Sequence, residues 1–176
     1  MARLRKGVAY RRIERPYTRK SKYNQYSFIK GVPHLKISRF VMGNPNGEYK
    51  YVVRLVSDKD VQVRQEALES ARKTANKKLE KALGKNYFFR IRKYPHHVLR
   101  ENPLATGAGA DRLSTGMKLS FGKPIGIAAQ VSKGDIVMEV FVNNEQAVNI
   151  AREALRIAKH KMPFSGRIVM EKVLAS

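Results

Sequence analysis

The chain lacks cysteine and tryptophan, and its acidic residues are scarce. Without cysteine there is no disulfide framework, no thiolate zinc finger and no cysteine nucleophile. No run approaches the roughly 18–20 apolar residues that span a bilayer. Residues 1–23 carry charge throughout, unlike the apolar centre of a signal peptide. These absences predict a mature cytoplasmic chain with no membrane-spanning segment.

The shortage of acids leaves a large positive charge. Against 14 Asp and Glu stand 36 Lys and Arg, so the formal net charge of the 176-residue chain is +22. The length suits a single domain, and a hydrophobic content of 43% is enough for a real core. A compact fold carries such a charge most readily beside a polyanion. We therefore expect a nucleic acid or an anionic membrane as the partner.

Half of the excess charge lies in residues 1–40, where twelve Lys and Arg stand against the single acid Glu14. Tyrosines are interleaved with these cations, and no apolar period is present, so the segment cannot close a core of its own. Arg suits phosphate oxygens and Tyr stacks on bases. We interpret residues 1–34 as an RNA-binding arm, with a solvated basic tail as the alternative. Its candidate contacts are Arg3, Arg5, Lys6, Arg11, Arg12, Arg15, Tyr17, Arg19, Lys20 and Lys22.

The rest of the chain combines strands and helices. Alternating apolar residues predict strands, and apolar residues three or four apart predict helices. Strands are expected at residues 35–42, 49–56, 86–93, 125–131, 136–142 and 167–173, and helices at 60–83 and 144–161. The strands at 125–131 and 136–142 are expected to form a hairpin. The predicted fold class is α+β, with an antiparallel or mixed sheet packed against two helices.

Each predicted helix has an apolar stripe, and the second also has a basic outer side. The expected core residues are Leu68, Ala71, Ala75, Leu79 and Ala82 in the first helix, and Ala147, Ile150, Ala154 and Ile157 in the second, which Asn143 would cap. Outer residues of the second helix and basic residues at the end of strand 86–93 are further candidate RNA contacts: Arg152, Arg156, Lys159, Arg90, Arg92 and Lys93.

Residues 101–124 form a long connection with four Gly and two Pro. Connections longer than about 12–15 residues without secondary structure are usually functional or disordered. The glycines match neither a dinucleotide-binding nor a nucleotide-binding loop, because the required third glycine and the Ser or Thr after Lys123 are missing. From the residues alone, a disordered linker and a functional finger both remain open.

Catalytic chemistry is poorly represented. The four histidines, His34, His96, His97 and His160, have no acidic pair at ligand spacing, and no nucleophile elbow is present. The adjacent His96 and His97 point to opposite sides of an extended chain. We therefore expect no enzyme, no metal site and no cofactor.

Several sequence blocks point together to one family. They are Arg15-Pro16-Tyr17, Gly31-Val32-Pro33, Glu66-Ala67-Leu68-Glu69, His97-Val98, Ala108-Gly109-Ala110-Asp111-Arg112-Leu113, Thr115-Gly116-Met117, Phe121-Gly122-Lys123-Pro124 and Glu153-Ala154-Leu155-Arg156. With these blocks the chain resembles the large-subunit ribosomal protein family called L-ten-e in archaea and eukaryotes, homologous to L-sixteen of bacteria. The end at Ser176, the form of the loop start and the lack of cysteine suggest an archaeal member.

The resemblance implies a function and a fold. The arm would follow large-subunit ribosomal RNA near the central protuberance, where 5S RNA also lies. Residues 102–123 would be a mobile loop reaching toward the peptidyl-transferase region and the aminoacyl and peptidyl tRNA. The fold would be a sandwich of the α/β-hammerhead type, and other partners would be neighbouring ribosomal proteins, with no membrane and no homo-oligomer. The implied tRNA-proximal residues are Gly107, Gly109, Arg112, Gly116, Lys118 and Lys123.

Two other functions compete with a structural ribosomal protein. One is a free DNA- or RNA-binding regulator or chromatin protein, which would call for a groove-reading element that the pattern does not show. The other is an RNA-modifying enzyme that uses the Gly-rich loop as a cofactor clamp, which the failed loop motifs disfavour. We favour the ribosomal protein.

Overall fold

The computed structural model describes residues 4–29, 31–105, 107–114 and 116–173. It confirms the α+β class, with two antiparallel sheets in place of the expected one. The strands are β1 Val41–Gly43, β2 Tyr51–Ser57, β3 Val61–Arg64, β4 Phe88–Ile91, β5 His97–Glu101, β6 Lys123–Val131, β7 Ile136–Val142 and β8 Gly166–Lys172. The helices are α1 Gln65–Leu83, α2 Ala110–Leu113 and α3 Glu145–Lys159. Among the described helices, none has the length and apolar character needed to cross a membrane.

A five-stranded large sheet and a three-stranded small sheet make up the β structure. The strand order is β1-β4-β7-β2-β8 in the large sheet and β3-β6-β5 in the small one. Helices α1 and α3 pack against each other, and the main core lies between them and the inner sides of the sheets. Val53, Leu55 and Phe89 of the large sheet are fully buried in this core.

The helix stripes are mostly as predicted. Leu68, Ala71, Ala75 and Leu79 are all fully buried, whereas Ala82 in the last turn is exposed. In α3 the expectation for Ile157 is wrong, because the buried stripe runs through Ala147, Val148, Ala151, Ala154, Leu155 and Ala158 and turns Ile157 toward solvent. The cap position is held by Asn144, while the Asn143 Oδ1 accepts a hydrogen bond from the Lys50 amide.

Two predicted boundaries are wrong for the same physical reason. The helix expected from residue 60 begins at Gln65, because Val61, Gln62 and Val63 are buried as a strand paired with β6. The strand expected at 35–42 shrinks to Val41–Gly43. In both places long-range pairing decides the backbone conformation, which local periodicity does not report.

The expected hairpin between β6 and β7 is also wrong. Both strands exist, but β6 pairs with β3 and β5, whereas β7 pairs with β2 and β4. The turn after β6 passes the chain from one sheet to the other, with Gly134 at φ +89° and its amide donating to the Ser57 carbonyl at 2.8 Å. Both strands are strongly buried, so their apolar pattern could not identify their partners.

The true hairpin joins β5 to β6 and carries the long connection at its end. Residues opposite each other at its base are Glu101 and Lys123. The connection 101–124 is therefore closed at its root by paired strands, and it holds two short helical turns, α2 and Gly116–Leu119. We call residues 101–124 the finger loop.

Candidate nucleic-acid interface

The arm packs on the small sheet. Tyr10 is buried with Leu99 and Ala128, while Ile29 is buried with Val98 and Ile127. Backbone hydrogen bonds also join the arm to the strands, from the Gln62 amide to the Arg11 carbonyl at 2.9 Å and from the Val98 amide to the Tyr17 carbonyl at 3.1 Å. The described residues of the arm thus bury Tyr10 and Ile29 against the small sheet and complete its packing.

The cations of the arm face solvent. Arg5 forms an ion pair with Glu101 at 2.7 Å, and it is the only described arm cation of residues 4–29 with a carboxylate within 4 Å. Arg3 lies outside the described residues. The other arm cations are exposed and, within the described part of the chain, have no carboxylate within 4 Å: Lys6, Arg11, Arg12, Arg15, Arg19, Lys20 and Lys22. An anchored backbone with unneutralised outward cations is the arrangement that binds a polyanion.

Tyr17 links the arm to the base of the finger loop. Its amide donates to His97 Nδ1 at 2.7 Å, and its hydroxyl donates to the Phe28 carbonyl at 2.6 Å. The Arg100 guanidinium lies between two rings, 4.4 Å from the centroid of Tyr17 and 4.0 Å from that of Phe121. Arg100 also donates to the Phe121 carbonyl at 2.9 Å. We call Tyr17, His97, Arg100 and Phe121 the Tyr17 junction.

Only one member of the Tyr17 junction, Tyr17, was a predicted site residue. His96 and His97 do point to different sides, since His96 is exposed and His97 is buried. Nothing local marks His97 as the acceptor for an amide 80 positions away. For Phe121, the finger-loop member of the junction, the sequence does offer a signal, because it is an aromatic residue within a glycine-rich stretch.

The finger loop presents its predicted cations to solvent. Arg112, Lys118 and Lys123 are all exposed. Gly107, Gly109 and Gly116 take positive φ values of 119°, 80° and 60°, a backbone region that favours glycine. Leu104, Met117 and Phe121 are large apolar side chains that are also exposed. The loop therefore offers both charge and apolar contact.

The strand cations have protein partners. On the outer face of the large sheet, Glu139 is 1% exposed and lies between Arg90 and Arg54 on the neighbouring strands. Arg90 donates to it, Arg92 Nη1 lies 3.3 Å from its Oε1 and Arg54 Nε lies 3.6 Å from its Oε2. Lys93 pairs with Asp135 at 2.5 Å. These pairs stabilise the sheet and neutralise part of the charge predicted to contact RNA.

The predicted cations fall on different parts of the surface. Arg92 and Lys93 line a groove with the arm residues Pro16 and Thr18, so they adjoin the arm. Arg90 lies on the large sheet. On α3, Arg152 and Arg156 are exposed and Lys159 is half-buried. The chain just after α3 reaches the arm, since Lys161 and Pro163 line a groove with Gly7 and Arg11.

Replacing Glu139 with Ala should lower the free energy of unfolding by about 3 kcal/mol. The loss lies at the lower end of the range for breaking a buried ion pair, because water still reaches the three guanidinium groups. The control is Glu171→Ala, which removes a half-exposed partner of Arg54 and should cost less than about 1 kcal/mol. Urea denaturation of both variants measures the difference. Equal losses would show that Glu139 is not a structural anchor.

His97 should make stability depend on pH. Burial lowers its pKa below the ordinary 6.5, with opposing influences from Glu14 and Arg100. Below pH 6.5 the unfolded chain takes up a proton that the folded chain resists, so the free energy of unfolding should decrease from pH 7 to pH 5. His97→Gln should flatten this decrease, and the exposed His160→Gln should keep it.

Denaturant unfolding at several pH values measures this dependence. The carboxyls Glu69 and Asp135, whose pKa values are lowered below 4.5 and 3.8 by their partners, lose their contribution only at more acidic pH. If the free energy of unfolding of His97→Gln decreases between pH 7 and pH 5 as much as that of the wild type, the decrease arises from another group.

Comparison with known proteins gives a consistent result. The family described as Ribosomal protein L16p/L10e matches residues 13–169. The Large ribosomal subunit protein uL16 of Staphylothermus marinus is 52% identical over 157 residues, covering 89% of this chain and 86% of the relative. That of Hyperthermus butylicus is 50% identical over 154 residues, with 87% and 82% covered. That of Methanococcus maripaludis is 46% identical over 171 residues, with 96% and 95% covered.

These relatives are archaeal, in agreement with the source expected from the sequence. The match spans β1 to β7, α1, α3, the finger loop and the first half of β8. The chain therefore belongs to the ribosomal protein family L16p/L10e and is a structural constituent of the large ribosomal subunit in the cytoplasm, not an enzyme.

Proposed function

We propose that the chain binds large-subunit ribosomal RNA through its arm and helps to position transfer RNA through the finger loop. The resemblance to the family implies that the arm lies near the central protuberance, beside 5S RNA, and that the loop lies near the peptidyl-transferase centre. Family membership leaves no role for the RNA-modifying enzyme, and it disfavours a regulator that works away from the ribosome.

The observation that carries the proposal is the row of outward cations on an anchored backbone. Tyr10 and Ile29 hold the arm on the small sheet, while the Lys and Arg side chains between them have no carboxylate within 4 Å among the described residues. RNA binding then costs less conformational entropy than it would for a free tail. Arg side chains also offer forked donors that match phosphate oxygens.

The finger loop has the properties of a tRNA-facing element. Its root is fixed by β5, β6 and the Tyr17 junction, and its described outer residues include the cations Arg112 and Lys118 beside exposed Met117. A fixed root with a basic, partly apolar end fits a neighbouring RNA without any catalytic group. Positioning is the role that this arrangement supports.

Removing arm charges should reduce the salt dependence of RNA binding. Neutralising about 8–10 phosphates gives a slope of log K against log salt near −7 to −9 on duplex RNA, by analogy with duplex DNA. Changing Arg11, Arg12 and Arg15 together to Gln should make the slope shallower by about 2–3. The matched control changes three exposed lysines outside the arm to Gln: Lys50, Lys85 and Lys172.

Titration of a ribosomal RNA fragment by filter binding at four salt concentrations measures these slopes. The control triple variant loses the same net charge. Because its three lysines lie outside the arm, it should change the slope by less than one. If both triple variants behave alike, the arm is not a preferred contact surface and the proposal for it is wrong.

Replacing residues 105–116 with a short Gly-Ser linker should separate folding from tRNA binding. The described residues of this segment lie outside all the buried clusters, so thermal unfolding and co-sedimentation with large subunits at moderate and high salt should be unchanged. Binding of tRNA to reconstituted ribosomes should weaken. Loss of folding would show that the loop is part of the core, and unchanged tRNA binding would remove its proposed role.

A further inference from the structure

A groove opens where the arm meets the root of the finger loop. Its volume of about 580 Å³ lies within the range of pockets for small organic ligands. Among the described residues, no Asp or Glu lines it. Its lining includes Tyr17, Phe28, Val32, Arg100, Phe121 and Lys123.

The apolar walls of this groove are unusually exposed. Phe121 is 61% exposed, Phe28 is 55% exposed and Val32 is 49% exposed. Leaving large apolar side chains in water forgoes the stabilisation that burial would give, and a cluster of them marks an interaction surface. Two exposed rings in the lining of one groove therefore indicate a ligand with an apolar, planar part.

The protein holds the Phe121 ring and the backbone of Phe28 in place. Tyr17 packs edge-to-face on Phe121, with 5.4 Å between ring centroids, and its hydroxyl holds the backbone of Phe28. Arg100 covers another part of Phe121 and holds its carbonyl. The walls are thus positioned before any ligand enters, which lowers the cost of binding.

The rim of the groove is cationic. The Arg19 guanidinium lies 4.7 Å from the centroid of the lining residue Phe28, and Lys123 is an exposed lining residue. Within the described residues, neither these two nor Arg100 has a carboxylate within 4 Å. Aromatic walls that bind a planar ring, together with cations that bind phosphate, match the two parts of a nucleotide.

We propose that this groove binds one unstacked base of an RNA strand. The base lies against Phe28 and Phe121, and the flanking phosphates lie against Arg19 and Lys123. An apolar peptide would fill the walls but leave the cations without a partner, so charge complementarity favours RNA. This inference rests on the proposed function, because RNA bound along the arm would pass the groove.

Fluorescence of 2-aminopurine provides the test, since the chain has no tryptophan to interfere. The probe is an RNA trimer with 2-aminopurine between two abasic residues, and the comparison probe is abasic at all three positions. Titrated with the full chain at one fixed salt concentration, the first probe should be quenched. It should bind about 5- to 100-fold more tightly than the second, the range expected for stacking of one base.

Phe121→Ala and Phe121→Leu should both abolish the difference between the two probes. An exposed ring can be removed without loss of folding, which thermal unfolding checks, and Leu retains apolar bulk without an aromatic face. The matched control is Tyr26→Ala, which removes a half-exposed aromatic residue outside the groove and should keep the difference.

The outcomes distinguish this inference from the proposed function. Equal affinity for the two probes, or quenching that survives in Phe121→Ala, overturns the groove as a base site. Loss of the effect in Tyr26→Ala instead would place the base elsewhere on the arm and also overturns it. A failure of arm-mediated RNA binding would appear separately, as weak binding of both probes together with an unchanged salt slope in the arm variant.

Discussion

Repulsion among 36 Lys and Arg is the constraint on which the rest of this structure depends, because only 14 acids are available to offset it. Several of these acids lie where they hold separate elements together. Glu139 joins three strands through Arg54, Arg90 and Arg92, and Asp135 pairs with Lys93. The Glu101 carboxylate accepts hydrogen bonds from Arg5 Nε and from the Tyr10 hydroxyl, and these bonds hold the arm on the small sheet. The acids thus stabilise the fold, while the outer cations of the arm between Lys6 and Lys22 have no carboxylate within 4 Å among the described residues.

The small sheet explains why the arm is both structural and available for binding. Three strands have two faces to cover, and the arm contributes to both: Tyr10 packs with Leu99 on one, and Ile29 packs with Val98 on the other. A segment of this composition has no core of its own, so it gains order by covering the sheet. Stability of the small sheet and presentation of the arm cations are therefore two results of the same contacts.

Sequence reasoning found what local periodicity can show. The stripe of α1 from Leu68 to Leu79 and the strands β2, β7 and β8 follow from the spacing of apolar residues. Periodicity reports burial but not the partner, so it placed β6 beside β7 and extended α1 into β3. The Tyr17 junction joins positions up to 104 residues apart, from Tyr17 to Phe121, and a pairing over such a distance leaves no local signal.

The Tyr17 junction also couples the arm to the finger loop energetically. The arm residue Tyr17 is bonded to His97 at the start of β5, and it packs on Arg100 and Phe121 at the root of the finger loop. We call Tyr17 seated when it makes these contacts, which also fix the arrangement of the loop root. A partner that binds the arm more tightly when Tyr17 is seated therefore also favours that arrangement of the loop root. Because such coupling is reciprocal, a partner of the finger loop that prefers this arrangement strengthens the hold on the arm by the same factor. The size of the coupling is limited by the free energy of seating Tyr17, which the buried His97 makes dependent on pH.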